Sequence, residues 1–166
     1  TAMIGVHQHF KDQKHLCLYH VTGSLEYDKV MKALDADKDG HYGSASRIIK
    51  YEYHMPKALA AADLILCRAG AISLAELAAR GLPSILIPYP YAAEDHQTFN
   101  ARVFVAAGAA KMIVDKYVTD KELIQDIEEL KNHPDTLQSM AQAAETLGKP
   151  QAGQDIAKLA LSLVRK

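Results

Sequence analysis

Apolar positions along the chain follow two patterns, short apolar runs and stretches with helical spacing, and the two kinds of segment alternate. Short apolar runs predict five strands, at residues 16–21, 47–53, 63–67, 83–88 and 110–114. The run at 63–67 is nearly continuous, which is typical of a buried parallel strand. Stretches with helical spacing predict helices at 1–14, 25–34, 55–62, 72–80, 95–107, 119–132, 136–147 and 152–166. Strands that alternate with helices on short loops indicate an α/β, Rossmann-like fold with a parallel sheet and helices on both faces.

Several element ends carry boundary signals. Gly81 is a good C-cap for the helix at 72–80, and Thr119-x-x-Glu122 is a capping box that opens the helix at 119–132. The polar loop at 35–40 is similar to the start of a calcium-binding loop. Ser46 stands where that motif needs a glutamate, which favours a solvated turn. The helix at 1–14 has the pattern of one that follows a strand and a glycine-rich loop, so we expect that the first strand is missing from the chain.

The composition narrows the class of protein. Of 166 residues, 49% are hydrophobic and 23% are charged, which excludes disordered and fibrous chains. A net charge of -1 argues against a nucleic-acid surface. Asp63 and Arg68 interrupt the most apolar stretch, so we expect no membrane span, and we expect no secretory signal. Cys17 and Cys67 have neither metal nor disulfide spacing, which leaves a globular domain of the cytosolic type.

The strongest candidate site follows the strand at 63–67. Arg68 and Gly70 follow the strand end and Ser73 lies in the first turn of the next helix, where free N–H groups and the helix dipole favour anions. Gly70 permits close backbone approach, and a guanidinium suits phosphate. Ser73-x-x-Glu76 also fits a capping box, and the local sequence does not separate capping from ligand binding.

A second candidate follows the next strand, at the same predicted edge of the sheet. His96, Gln97 and Asn100 carry donors and acceptors that suit hydroxyl-rich ligands such as sugars. The alternative is that Asp95 only caps the helix and the others face solvent. Two such loops strengthen each other, because open α/β sheets bind ligands beyond the carboxyl ends of their strands.

Other residues give weaker signals. Tyr51 ends a predicted strand and fits a base-stacking position, although an aromatic side chain there is more often part of the core. The histidines at 7, 9, 15 and 20 lack partners at a metal-binding spacing, so we expect surface histidines and no metal or other cofactor. The P-loop, the dinucleotide fingerprint and the nucleophile-elbow motif are all absent from the sequence.

The segment 61–113 closely resembles the donor-binding, C-terminal half of the MurG family of bacterial glycosyltransferases. The resemblance runs from about Leu16 to the C-terminus and is most specific where R-A-G-A-x-[ST]-x-x-E and D-H-Q-T-x-N-A stand intact. It implies a GT-B transferase that moves N-acetylglucosamine from UDP-GlcNAc to undecaprenyl-pyrophosphoryl-MurNAc-pentapeptide (lipid I to lipid II) during peptidoglycan synthesis. It also implies a cytoplasmic protein, peripheral on the inner face of the bacterial cell membrane.

The resemblance assigns roles to the candidate residues. The uracil would lie beside Tyr51 and pair with the backbone of Glu52, and the ribose hydroxyls would bind Glu76. The remaining residues would line the nucleotide pocket, the diphosphate site and the sugar site, and they are Arg68, Gly70, Ala71, Ile72, Ser73, His96, Gln97 and Asn100. It places no catalytic residue in the chain.

Two departures limit what this chain would do alone. We expect the glycine-rich phosphate loop and the whole N-terminal acceptor domain to be absent, with residues 1–166 forming a single UDP-sugar-binding domain. We therefore expect the chain to bind UDP-GlcNAc but to be inactive alone, to reach lipid I through the missing domain, and to self-associate through an unpaired strand edge. The alternative is a nucleotide-sugar-binding subunit that is active only with a separate acceptor-binding partner chain.

Overall fold

Residues 2–164 are described by the computed structural model of the chain, in which two units each contain a three-stranded sheet. One unit is built from residues up to 58 together with 116–133, and the other from 59–115 together with residues from 134 onward. The strands are β1 (Leu18–Val21), β2 (His41–Tyr42), β3 (Ser46–Ile49), β4 (Ile65–Cys67), β5 (Ser84–Leu86) and β6 (Ala110–Met112). The helices are α1 (Ala2–His9), α2 (Tyr27–Leu34), α3 (Met55–Ala61), α4 (Ala71–Arg80), α5 (His96–Ala106), α6 (Asp120–Asn132), α7 (Pro134–Leu147) and α8 (Ala152–Val164).

The first unit has a mixed sheet in the order β1-β3-β2. β1 pairs with β3 in parallel, and β2 pairs with β3 in the antiparallel direction. Val30 and Leu34 of α2 pack on Ile48 of β3 to form one core cluster. α1 lies against α6, and a Cβ at Gly5 would come within 2.3 Å of Asp120, so this close approach requires glycine.

The second unit has a fully parallel sheet in the order β4-β5-β6. β5 lies in the middle and is buried along its whole length, whereas β4 is only half-buried. α4 packs against α7, and its apolar face joins the main core cluster of this unit. Gly81 ends α4 in the left-handed conformation (φ 63°), with its N–H bonded to the carbonyl of Ala78.

The predicted α/β architecture is confirmed, with shorter strands than expected. Several details differ. β2 was not predicted, β3 ends at Ile49 rather than at residue 53, and β4 is half-buried rather than buried. The helix predicted at 1–14 ends at His9, and the sheet of the first unit is mixed rather than parallel. The capping box of α6 is present, because the Thr119 hydroxyl accepts a hydrogen bond from the Glu122 N–H at 3.1 Å. Within residues 2–164, no helix is both long and apolar enough to cross a bilayer.

Candidate functional site

The candidate site of the second unit lies where β4 and β5 end. Both strands run in parallel, so the loop from β4 to α4 and the loop from β5 to α5 emerge at one edge of the sheet. Asn100 of α5 joins these loops directly, since its side-chain amide donates to the Ala69 carbonyl at 3.2 Å. The prediction that the two motifs share one edge is therefore confirmed.

The start of α4 is open and uncapped. Gly70 is the N-cap in extended conformation, no side chain caps it, and the helical hydrogen bonds begin with Leu74 N–H to the Gly70 carbonyl. The N–H groups of Ala71, Ile72 and Ser73 therefore precede the helical ladder. A Cβ at Gly70 would meet no protein atom within 4 Å, so the space over this peptide is free for a ligand.

The capping-box interpretation of Ser73 and Glu76 is wrong. The helix begins at Ala71, so Ser73 is its third residue rather than its N-cap. Glu76 lies in the second turn with an exposed side chain, and no other group in residues 2–164 forms a hydrogen bond or ion pair with its carboxylate. Its carboxylate is therefore available to a ligand.

Arg68 contacts the ends of all three strands of its sheet. Its Nη1 donates to Asp115 Oδ1 at 2.5 Å and to the carbonyl oxygens of Ile87 and Pro88 at 3.2 Å each. Its guanidinium also lies 5.6 Å from the centre of the Tyr89 ring. The predicted nucleotide-pocket arginine therefore has its charge balanced by a carboxylate that the sequence motif did not include.

Two consecutive residues in the left-handed conformation precede α5. Glu94 and Asp95 both have φ 52°, a conformation that most non-glycine residues avoid. Asp95 occupies the N-cap position, but its carboxylate accepts from the Thr98 hydroxyl at 2.6 Å and no side-chain capping bond forms. The hydrogen bond between Asp95 and Thr98 therefore links the N-cap residue to the first turn of α5.

Contacts within the protein set which side-chain atoms of His96 and Gln97 donate hydrogen bonds and which accept them. The Nδ1 of His96 lies 2.7 Å from the Ala93 carbonyl, so Nδ1 carries the proton and Nε2 is the acceptor when the ring is neutral. The Oε1 of Gln97 accepts from the Tyr89 N–H at 3.0 Å, which leaves its NH₂ group to donate. An acceptor and a donor therefore occupy consecutive positions at the start of α5, a pair that suits the hydroxyls of a sugar.

In the first unit, Tyr51 and Tyr53 are exposed and stack edge-to-face with ring centres 4.9 Å apart. Tyr51 is therefore not a core residue. The Glu52 carboxylate accepts from the Tyr19 hydroxyl and the His54 N–H, and the Tyr19 hydrogen bond lowers the pKa of Glu52 while the same bond raises the pKa of Tyr19. No hydrogen bond among the described residues occupies the backbone N–H or carbonyl of Glu52.

Sequence reasoning missed part of each unit's surface. An open cavity of about 590 Å³ in the first unit is lined by Ser24, Lys50, Tyr51 and Tyr53. In the second unit a smaller cavity of about 320 Å³ is lined by Pro88, Pro90, Asp95, Thr98, Arg102, Met112, Val114 and Asp115. Ser24, Lys50 and Asp115 each lie a few residues beyond a strand end, and that position was the only signal that could have found them.

The prediction of surface histidines is wrong for His7, which is fully buried. Its Nδ1 lies 2.8 Å from the Ser46 hydroxyl and its Nε2 lies 3.0 Å from Nδ1 of the half-buried His20, whose ring stacks on it. Burial lowers the pKa of His7 to about 4, with a further contribution from His20, and burial also lowers the pKa of His20. Within the described part of the chain, no group of three His, Cys, Asp or Glu side chains has the geometry of a metal site.

A parallel sheet whose edge carries an uncapped helix start and a donor–acceptor pair defines a ligand-binding domain of the open α/β class. The chain belongs to the glycosyltransferase family 28 C-terminal domain family, which it matches over residues 3–158. Its relatives include the UDP-N-acetylglucosamine--N-acetylmuramyl-(pentapeptide) pyrophosphoryl-undecaprenol N-acetylglucosamine transferase of Desulforamulus reducens, which is 44% identical over 163 residues, 95% of this chain and 42% of the relative. The homologue numbered 1 in Bacillus cereus is 41% identical over 167 residues, 99% of this chain and 44% of the relative.

Solved structures agree with this family. The crystal structure of Acinetobacter baumannii MurG matches with a TM-score of 0.77 and 30% identity, over 95% of this chain and 44% of that one. The glycosyltransferase VinC in complex with dTDP matches with a TM-score of 0.65 at 11% identity, over 95% of this chain and 37% of that one, which shows the fold alone. The chain thus spans less than half the length of these relatives.

Proposed function

We propose that the chain is the donor-binding half of a GT-B glycosyltransferase that transfers N-acetylglucosamine from UDP-GlcNAc to undecaprenyl-pyrophosphoryl-MurNAc-pentapeptide, converting lipid I to lipid II in peptidoglycan synthesis. The family match and the activity for which relatives at 41–44% identity are named support this function. The observation that carries it is the open N-terminus of α4 at Gly70, which has the free N–H groups and the empty space that a diphosphate needs.

The diphosphate would bind the N–H groups of Ala71, Ile72 and Ser73. These groups and the helix dipole stabilise the negative charge that grows on UDP as the glycosidic bond to the anomeric carbon breaks. Because the helix start is fixed before the ligand arrives, this stabilisation needs no rearrangement during the reaction. Glu76 lies one turn further along α4 and has no side-chain partner among residues 2–164, so it would accept hydrogen bonds from the ribose hydroxyls.

The sugar would bind at the start of α5. A sugar hydroxyl both donates and accepts, so one hydroxyl can donate to Nε2 of His96 while another accepts from the NH₂ of Gln97. The contacts with Ala93 and Tyr89 hold this polarity in place without a ligand. This arrangement favours a ligand with neighbouring hydroxyls over one with a single polar group.

The uracil assignment stays a prediction for the first unit. Tyr51 presents an exposed ring, and no group in the described part of the chain occupies the Glu52 backbone, which would pair with one edge of a base. The Glu52 carboxylate is engaged by Tyr19 and His54, so only its backbone would serve the ligand.

The acceptor role belongs to the longer protein. Transfer requires the acceptor hydroxyl to be held against the donor, so we propose that a further, N-terminal domain binds lipid I and that the whole enzyme lies peripherally on the inner face of the cell membrane. We also propose that the isolated chain lacks transferase activity. Self-association of the chain through a strand edge stays a prediction.

The substitution Gly70→Ser tests the diphosphate site. Serine is a better N-cap than glycine, so the free energy of unfolding should rise by a few tenths of a kcal/mol. Its hydroxyl would occupy the same N–H groups that the diphosphate needs, so UDP affinity should fall by about 10- to 150-fold, the range that lost hydrogen bonds to a charged group set. Ligand-observed NMR with UDP measures the affinity, and urea unfolding measures the stability.

Gly153→Ser in α8 is the matched control, because a Cβ there also meets no atom within 4 Å and the residue is not at the α4 start. The control should bind UDP as the parent chain does. Unchanged UDP affinity in Gly70→Ser would remove the diphosphate from α4 and with it the main structural support for the proposed function.

A further inference from the structure

Asn100 uses one of its two amide N–H groups within the protein, on the loop that opens α4. The family resemblance placed Asn100 among the substrate-binding residues. In the structure its Nδ2 donates to the Ala69 carbonyl at 3.2 Å, between two residues that are 31 positions apart in the chain. Ala69 itself is fully buried and comes directly before the Gly70 N-cap.

The bond matters because the Ala69 carbonyl has no other partner in residues 2–164. A buried carbonyl without a hydrogen bond is strongly disfavoured, so the peptide between Ala69 and Gly70 is held in the orientation that reaches Asn100. That peptide leads directly into α4. Its orientation sets the direction in which the first N–H groups of the helix point.

Asn100 also lies one turn beyond His96 and Gln97 on the same helix. A helical turn separates residues by three or four positions, so the three side chains project from neighbouring positions. The first turn of α5 therefore carries the donor–acceptor pair, and Asn100 in the next turn binds the loop that opens α4. Movement of either helix start relative to the other would break the Asn100–Ala69 bond.

We infer that Asn100 is a positioning residue, which holds the Ala69–Gly70 peptide so that the α4 start is aligned to receive a diphosphate at a fixed distance from the sugar-binding turn of α5. This inference rests on the proposed function. It adds to the proposed function a role for Asn100, which would align the diphosphate site through Ala69 instead of contacting the sugar directly.

The test compares three ligands on the chain and on Asn100→Asp, which keeps the shape of the side chain and removes the donor. Uridine carries no phosphate, UDP adds the diphosphate, and UDP-GlcNAc adds the sugar. We expect ligand-observed NMR to show unchanged uridine affinity, a loss of about tenfold for UDP, and the same tenfold loss for UDP-GlcNAc. Amide hydrogen exchange should become faster at the first turn of α4 and stay unchanged in β5.

Other results overturn the inference. A loss with UDP-GlcNAc but not with UDP would make Asn100 a direct sugar ligand. An equal loss with all three ligands, or unchanged affinity for all of them, would leave Asn100 with a general structural role or none. Gln138→Glu, the same amide-to-acid change at an exposed position of α7, is the matched control and should bind all three ligands normally.

A second variant and the unsubstituted chain complete the experiment. Asn100→Ala removes the donor without adding a charge and must show the same pattern of losses, because the negative charge of Asn100→Asp repels a diphosphate by itself. A loss of UDP affinity in Asn100→Asp alone would be a charge effect and would overturn the inference. Asn100→Ala also serves where Asn100→Asp is too unstable for binding measurements. Failure of the unsubstituted chain to bind UDP would refute the proposed function itself, and the inference with it. If the unsubstituted chain binds UDP and the variant binds UDP tenfold more weakly at unchanged uridine affinity, the result supports both the proposed function and the inference.

Discussion

Acid should destabilise the first unit through His7, and the size of the effect follows from its burial. Burial lowers the pKa of His7 from 6.5 to about 4, so below about pH 6.5 the unfolded chain binds a proton that the folded chain does not. Stability is therefore fully present above pH 6.5, falls as the pH drops towards 4, and levels off once the folded protein is protonated too. A shift of this size corresponds to about 3 kcal/mol in total, most of which is lost between about pH 7.5 and pH 4.5.

The measurement is urea unfolding of the chain and of His7→Gln near both pH values. Carboxylates such as Glu52 also have lowered pKa values and add their own acid sensitivity, but they are common to both proteins. The parent chain should lose about 2–3 kcal/mol more than His7→Gln, and NMR should show the His7 ring neutral near pH 5.5. His15→Gln, at an exposed histidine, is the control and should behave like the parent chain. Equal pH dependence in the parent and His7→Gln, or a His7 ring that titrates near 6.5, would refute the reasoning.

Two further predictions concern the proposed donor site and the chain's activity. Glu76→Gln should leave the free energy of unfolding nearly unchanged, because the Glu76 side chain is exposed and does not cap α4. Calorimetry should show UDP-GlcNAc binding weakened by about 1.5–3 kcal/mol. Unchanged affinity would remove Glu76 from the site. The isolated chain should form no lipid II from lipid I and UDP-GlcNAc in a radiolabel transfer assay, whereas the longer parent protein should, because positioning of the acceptor supplies about 7–11 kcal/mol of the barrier. Robust transfer by the chain alone would show that its residues include both the acceptor site and the base.

Five of the six described strands were predictable because each lies in a short apolar run, as at β5. β2 was not, because it has two residues and forms only by pairing with β3, a contact that local sequence does not encode. The capping box illustrates a second limit. The pattern S-x-x-E fits a helix start and a helix interior equally well, and only the position of Gly70 decides that α4 begins at Ala71.

The candidate site was predictable to the level of loops but not of atoms. The sequence placed His96, Gln97 and Asn100 on the correct edge, since residues beyond parallel strands share that edge. Which atoms remain free for a ligand depends on Ala69, Tyr89 and Ala93, whose carbonyl or N–H groups are identical in every residue type. Burial of His7 was missed for a similar reason, because its partners His20 and Ser46 are distant in sequence.

The ion pair between Arg68 and Asp115 changes what an incoming anion gains from the arginine. A phosphate that approaches Arg68 meets a guanidinium already balanced by a carboxylate, so contact with it is an exchange of one anion for another. The free energy of such an exchange is the difference between two partly exposed ion pairs, and each of these is worth about 0–1 kcal/mol. In the proposed site, discrimination between phosphorylated and unphosphorylated ligands would therefore fall to the backbone N–H groups of α4, which no side chain of residues 2–164 caps. The contacts of Arg68 that join the three strand ends form in the absence of a ligand.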